Sequence, residues 1–235
     1  TSAYAVINVI GPKSRELLKK LTNADISNER FPFGTCKSFA IGYAPIIALR
    51  VTYVGELGYE LYIPTEFAVH VYESLWEAGQ DLGIRNAGYR TIASMHLEKG
   101  YADWGSELTP EYTPFDAGLG FCVALDKGNF IGREALAKVK AKGPRLKLCS
   151  FTIDTGEPLM LQSSAPIIHG GKVVGVTSSS GYGHTLKKNI CFGYIPAEQA
   201  DPKNDFKIES YKEVYAATLE PSRALYDPQR KNILM

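Results

Sequence analysis

The sequence has no apolar run long enough to cross a bilayer; its uninterrupted stretches, such as Pro45–Leu49, fall far short of the ~20 residues a spanning helix needs. It has no excess of charge of either sign, since 26 Lys and Arg against 25 Asp and Glu leave a net charge of +1. Nucleic acid and membrane surfaces call for a cationic field, so neither is an expected partner. Cysteine is sparse. Cys36, Cys122, Cys149 and Cys191 form no Cys-x-x-Cys pair, and His70, His96, His169 and His184 show no metal-ligand spacing. We therefore expect no metal centre and no disulfide. Cys122, Cys149 and Cys191 lie in apolar, strand-like runs, which suits buried free thiols in a reducing compartment.

Nucleotide-binding glycine loops are also missing. There is no dinucleotide fingerprint and no P-loop, and Gly118-Leu119-Gly120 leads into an expected strand rather than a helix. No Gly-x-Ser-x-Gly elbow occurs. Ser178-Ser179-Ser180 has no local base beside it and reads as a solvated loop.

What is present is two textures joined end to end. Hydrophobic residues at 45% and charged residues at 22% are ordinary for a globular protein, and 235 residues can bury a sizeable core. The first residues, Thr1 to Ile10, begin without Met and lack the basic start and cleavage site of a signal peptide; they read as a strand entered midway, in a piece of something longer. Pro12 suits the first turn of a helix with Leu17, Leu18 and Leu21 on its apolar side. Strands are expected at Cys36–Tyr43 and Ile46–Tyr53. Gly55 and Gly58 mark a turn, and Tyr59–Ile63 completes a hairpin. Phe67, Val71, Leu75, Ala78 and Leu82 recur at helical spacing, and a second helix is expected between Asn86 and Gly100. A loop follows over 103–117, then a strand at Phe121–Leu125 and a helix at Arg133–Lys142 closed by Gly143-Pro144. After Pro144 the chain turns to six short strand candidates, with Gly170-Gly171 as a two-residue hairpin signal. The expected fold is α+β: a mixed sheet with helices over 1–143, then a small antiparallel β-barrel or sandwich over 144–235, of which the family resemblance below implies the β-barrel.

Four segments in order carry a resemblance. They are Val51-Thr52-Tyr53-Val54-Gly55-Glu56-Leu57-Gly58-Tyr59-Glu60; Thr113-Pro114-Phe115-Asp116-Ala117-Gly118-Leu119-Gly120-Phe121 with Asn129-Phe130-Ile131-Gly132-Arg133-Glu134; Val173-Val174-Gly175-Val176-Thr177-Ser178; and Gly193-Tyr194-Ile195-Pro196. Together they resemble the glycine-cleavage T-protein family, an aminomethyltransferase fold that binds tetrahydrofolate. Leu97-Glu98-Lys99-Gly100-Tyr101 with Asp103-Trp104 is similar to the branch fused to FAD-dependent sarcosine and dimethylglycine dehydrogenases. That branch implies an upstream flavin domain, absent from these residues, which oxidises an N-methyl amine. The folate part then captures the one-carbon unit as methylene-tetrahydrofolate. A stand-alone aminomethyltransferase, a non-catalytic regulatory subunit of the same fold and a binding-only fragment are the alternatives. A cytoplasmic location is implied, or the mitochondrial matrix in a eukaryote.

The resemblance implies a pterin-gripping glutamate at Glu60 and a ring-contacting tyrosine at Tyr53, with Phe121 on the aminobenzoyl ring. The chemistry of Glu60 stands independently of the family. A pterin presents an amino group and a ring N–H side by side, which one carboxylate can accept as a pair. Glu60 interrupts an apolar strand, where a charge is costly unless partnered. The other reading is a glutamate on a solvated face. Tyr62 shares the Glu60 face of the strand and is a further candidate, with plain packing as its alternative. Arg90 lies two residues before the position of the family's arginine for the folate tail, which Ile92 occupies, and reads as structural or exposed. His96 reads as a surface or satisfied residue, Glu98-Lys99 as a charge pair at a helix end, and Tyr101 and Trp104 as packing residues. The family's catalytic aspartate belongs to a segment before Thr1, so no catalytic residue is expected within this chain.

Overall fold

A computed structural model describes residues 2–235. The chain packs as two compact units, one made of residues up to Ile92 together with Gln229–Met235, the other of Ala93–Pro228. None of the described helices is long and apolar enough to cross a membrane.

The first unit is a four-stranded sheet in the order β1-β4-β3-β2, antiparallel in every pairing: β1 is Tyr4–Ile10, β2 Cys36–Ile41, β3 Ala44–Leu49 and β4 Gly58–Pro64. Two helices belong to it, α1 (Ser14–Lys19) and α2 (Ala68–Ala78). Period-two alternation sends Val9, Ile46, Ala48, Tyr59, Leu61 and Ile63 to one face of the sheet. There they form a core with Leu17 and Leu18 of α1 and Val71 and Leu75 of α2. Strand β3 ends at Leu49, earlier than the run to Tyr53 suggests. Arg50 is the reason. Its backbone N–H turns to the Thr35 carbonyl, and its side chain, 1% exposed, goes into the core. The guanidinium donates to the carbonyls of Phe31 (2.8 Å) and Met235 (2.8 Å), tying the last residues of the chain to this unit.

The division between units falls within α3 (Tyr89–Lys99). In the second unit, α4 (Arg133–Lys142) precedes six strands: β5 Leu146–Ile153, β6 Pro166–His169, β7 Lys172–Gly183, β8 Lys188–Pro196, β9 Phe206–Ser210 and β10 Glu213–Leu219. They close into an antiparallel barrel in the order β10-β5-β8-β7-β6-β9. All six follow residue 144. Gly170 and Gly171, at φ 56° and 74°, make the two-residue turn between β6 and β7, a conformation that side chains resist. The barrel is filled by Phe151, Ile167, Cys191, Ile195, Phe206 and Ile208. Residues 97–112 pack outside it, where Leu97, Ala102 and Tyr112 meet Leu148, Ile190, Phe192 and Tyr194. That packing is why the compact unit begins well before the barrel.

Other local expectations change too. The run at Phe121 is a 3-10 turn over Gly120–Cys122 rather than a strand, because Gly118 at φ 70° and the Leu119 N–H to Pro114 carbonyl bond curl the chain tightly. Cys122 on that turn is exposed, not buried. Ser178-Ser179-Ser180 lies inside β7, at a register shift against β8, rather than in a loop. Trp104 is 78% exposed and does not pack into a core.

Glu98 and Lys99 are each 2% exposed, and they do not pair with each other. Successive residues at a helix end point in different directions. Glu98 Oε1 accepts the backbone N–H groups of Thr185 (2.8 Å) and Leu186 (2.9 Å), holding the β7–β8 turn. The Glu98 carbonyl accepts from Leu225 and Tyr226, while Lys99 Nζ reaches the Asp227 carboxylate at 3.0 Å and carbonyl at 2.7 Å. These bonds fasten the start of the second unit to its end. Gly100 beside them has no room for a side chain, since a Cβ would lie 2.5 Å from the Arg223 backbone.

A buried ion pair broken on one side leaves a charge without compensation. Lys99→Ala should therefore cost about 3–5 kcal/mol in urea unfolding, whereas Lys140→Ala in the last turn of α4 should change stability by less than about 0.5 kcal/mol. Thiol reactivity gives a second expectation. Cys36 and Cys122 are exposed, whereas burial pushes the thiol of Cys149 up to about 11 and that of Cys191 up to about 12. Two thiols should react rapidly in the native protein and two only after unfolding, as a native-against-denatured thiol titration with peptide mapping will show.

Candidate functional site

Strand β4 separates its side chains cleanly. Tyr59, Leu61 and Ile63 are fully buried in the core, which forces Glu60 and Tyr62 onto the opposite face. There the two meet: the Tyr62 hydroxyl donates to Glu60 Oε2 at 3.1 Å. Both are half-buried. The sheet register places Asn8 of β1 and Leu49 of β3 directly beside Glu60, and Val6 and Ile47 beside Tyr62. The carboxylate thus stands on a largely apolar sheet face with one hydroxyl and one amide as polar neighbours. The bond to Glu60, and the nearby negative charge, raise the pKa of the Tyr62 phenol, because they favour its neutral form.

Tyr53 is not on a strand. It sits half-buried in the bend between β3 and β4, with Val54, Gly55 and Leu57 buried around it in sequence. Phe121 belongs to the second unit, where its ring is 84% exposed on the 3-10 turn. Phe121 is therefore not a core residue. Arg90 is exposed near the start of α3. His96 is buried, and its Nδ1 is 2.9 Å from the Tyr101 carbonyl. Among the described residues no cluster of three or more His, Cys, Asp or Glu is arranged to hold a metal ion.

Two features escaped the sequence. Asn8 faces Glu60 only because β1 pairs with β4 across fifty residues, and no local signal announces that register. The second is a buried polar knot in the second unit. Glu107 is fully buried; its carboxylate accepts the Asp103 N–H at 2.9 Å and the Ser178 hydroxyl, and its carbonyl accepts from Tyr194 at 2.9 Å. Arg223 there donates to the carbonyls of Gly100 and Ala117, both at 2.7 Å. Burial lowers the Arg223 pKa and raises that of Tyr194. The bonds of this knot run to groups of the same unit, as in a scaffold.

An antiparallel sheet followed by a closed six-stranded barrel is the architecture of the aminomethyltransferase fold. The chain belongs to the glycine cleavage T-protein family: residues 1–127 match the GCVT N-terminal domain and residues 147–227 the glycine cleavage T-protein C-terminal barrel domain. It is 36% identical over 233 residues to mitochondrial dimethylglycine dehydrogenase of Mus musculus, a match covering 95% of this chain and 27% of that protein. It is 38% identical over 236 residues to 4-methylaminobutanoate oxidase (formaldehyde-forming) of Paenarthrobacter nicotinovorans, covering 99% of this chain and 28% of the oxidase. The chain thus spans little more than a quarter of the length of these relatives. Among solved structures, the glycine cleavage system aminomethyltransferase T from Bartonella henselae superposes with a TM-score of 0.70 over 97% of this chain and 85% of its own, at 18% identity, which is a likeness of fold.

The Tyr62–Glu60 bond carries its own expectation. A raised phenol pKa means that the bond's contribution to stability is complete below the ordinary phenol value of ~10 and is lost as pH rises through the higher folded value. In an ultraviolet tyrosinate titration, Glu60→Gln should return one tyrosine to a lower titration midpoint. An unchanged curve would show that the two side chains do not interact in solution.

Proposed function

We propose that this chain is the tetrahydrofolate-binding part of an FAD-dependent N-methyl-amine dehydrogenase or oxidase, with Glu60 as the residue that grips the pterin. The observation that carries this reading is the half-buried Glu60 carboxylate on an apolar sheet face, already held at one oxygen by Tyr62. A carboxylate offers about four lone-pair directions, so after accepting the Tyr62 hydroxyl it retains capacity for two N–H donors side by side. The residues present therefore fit a pterin edge. Relatives named as a dimethylglycine dehydrogenase and a methylaminobutanoate oxidase support the amine-oxidising context.

In this proposal Glu60 accepts the paired donors, and Tyr62 fixes the carboxylate so that its free lone pairs point one way. Tyr53 contacts the pterin ring. Reduced folate, when bound, supplies the nucleophilic nitrogen that takes up the one-carbon unit. No residue of this chain is assigned the proton transfer that accompanies that step. The flavin is assigned to another domain of the same protein, because these residues contain no dinucleotide fingerprint. A setting in the cytoplasm, or in the mitochondrial matrix of a eukaryote, goes with that assignment.

Glu60→Gln in the full-length protein keeps the side chain's shape but turns an amide N–H toward the pterin donors. Losing a charge-assisted pair costs about 1.5–3 kcal/mol, so folate affinity should fall roughly tenfold to hundredfold in calorimetric titration. Amine oxidation measured with an artificial electron acceptor should be unchanged. Wild-type folate affinity in the variant would remove Glu60 from the site.

A further inference from the structure

Asparagine is uncommon inside strands, because its short polar side chain competes for nearby backbone groups and packs poorly on a pleated surface. Strand β1, Tyr-Ala-Val-Ile-Asn-Val-Ile, nevertheless carries one, Asn8. Alternation sends Ile7 and Val9 to the core and Asn8 to the outer face of the sheet. The antiparallel register pairs Asn8 directly with Glu60, and residues so opposed hold their Cβ atoms about 4.5–5.5 Å apart. One ligand group can therefore meet both side chains. On the other flank of Glu60 stands Leu49, and Val6, Ile10 and Ile47 occupy the diagonal positions. None of these four side chains carries a hydrogen-bond donor. Asn8 is exposed, and its carboxamide makes no hydrogen bond among the described residues.

A pterin edge has a fixed order of polar atoms. The ring N–H and the amino group lie side by side. A ring carbonyl flanks the pair on one end and an imine-type ring nitrogen on the other, and both of these are acceptors. Whichever way the ring is turned, the atom beside the donor pair is an acceptor. The Glu60 carboxylate holds acceptors only and cannot serve it. An amide nitrogen next to that carboxylate can, because it carries two hydrogens and meets the ring even while the other leans on Glu60.

We propose that Asn8 is a specificity-determining residue of the pterin site, donating its side-chain N–H to the ring acceptor that flanks the pair held by Glu60. This rests on the reading of Glu60 as the residue that grips the pterin. Two adjacent strands then read three consecutive atoms of the ring edge, one acceptor and two donors. A ring that turns a donor toward Asn8 sets N–H against N–H and leaves both groups unpaired. A site built on hydrogen bonds rejects such a ligand more strongly than it rejects a change of size.

The test uses the full-length protein and calorimetric titration with two probes. One is 5-formyl-tetrahydrofolate; the other is its analogue with an amino group in place of the ring carbonyl, in its protonated form. Protonation makes the flanking nitrogen a donor as well, so the analogue presents a donor to Asn8 in either orientation. Asn8→Ala should weaken 5-formyl-tetrahydrofolate roughly fivefold to tenfold, the worth of one hydrogen bond, and leave the analogue within about twofold. Asn8→Asp supplies an acceptor at the same place and should shift the ratio of the two affinities about tenfold toward the analogue. That ratio decides the matter even if Asn8→Ala fails to fold. Equal losses on both probes, or an unmoved ratio in Asn8→Asp, would make Asn8 structural and overturn the proposal. Wild-type folate affinity in Asn8→Ala beside a weakened Glu60→Gln would overturn it too, and leave the reading of Glu60 standing. Wild-type affinity in Glu60→Gln would remove that reading and this inference with it.

Discussion

The two-residue repeat of β4 is the constraint on which the candidate site depends. Tyr59, Leu61 and Ile63 are locked in the core by α1 and α2, so a slip of one residue would expose all three. At roughly 1.5–3 kcal/mol for each buried apolar side chain, that register is held far more firmly than any contact on the outer face could hold it. Glu60 and Tyr62 point outward because their neighbours cannot. A polar pair is thus presented on a rigid strand at no cost to its own positioning, and the single bond between them need only choose a rotamer.

The second unit follows a different logic, in which buried charge is tolerated because every such group is answered. Asp116 illustrates it. Burial alone would raise its pKa, but hydrogen bonds from Thr113 and from the backbone of Leu146 outweigh burial and leave it lowered. Glu98, Lys99 and Glu107 are likewise satisfied by backbone N–H groups, a carboxylate and a hydroxyl. Such networks are costly when incomplete, so they fix one arrangement of loops around the barrel and reject others.

Much of this was legible in the sequence, because the barrel strands are short runs bounded by turn residues, and half of their pairings, β6–β7, β7–β8 and β9–β10, join consecutive strands. Strand number and spacing pointed to a barrel or sandwich, which the structure closes as a barrel, and period two put Glu60 and Tyr62 on the same face. The failures share a cause. Phe121 and Cys122 carry strand-like side chains, but Gly118 and a tight carbonyl bond decide their backbone. Glu98-Lys99 reads as a neighbouring pair, yet its partners lie 87 and 128 residues away, beyond any local signal. The neighbours of Glu60 were hidden for the same reason, since Asn8 reaches it through a pairing made across most of the first unit.

The bonds from Glu98 and Lys99 to Leu225, Tyr226 and Asp227 also bear on the order in which the chain assembles. Arg50 must capture the Met235 carbonyl across 185 residues, and closing so long a flexible loop carries an entropic cost. Once the second unit has folded, its entrance and exit are already fastened to each other, and the intervening 125-odd residues no longer count as slack. The final segment then reaches Arg50 as if it followed a short linker. Completing the second unit thus lowers the entropic cost of the last clasp on the first, a unit to which the barrel contributes no residue.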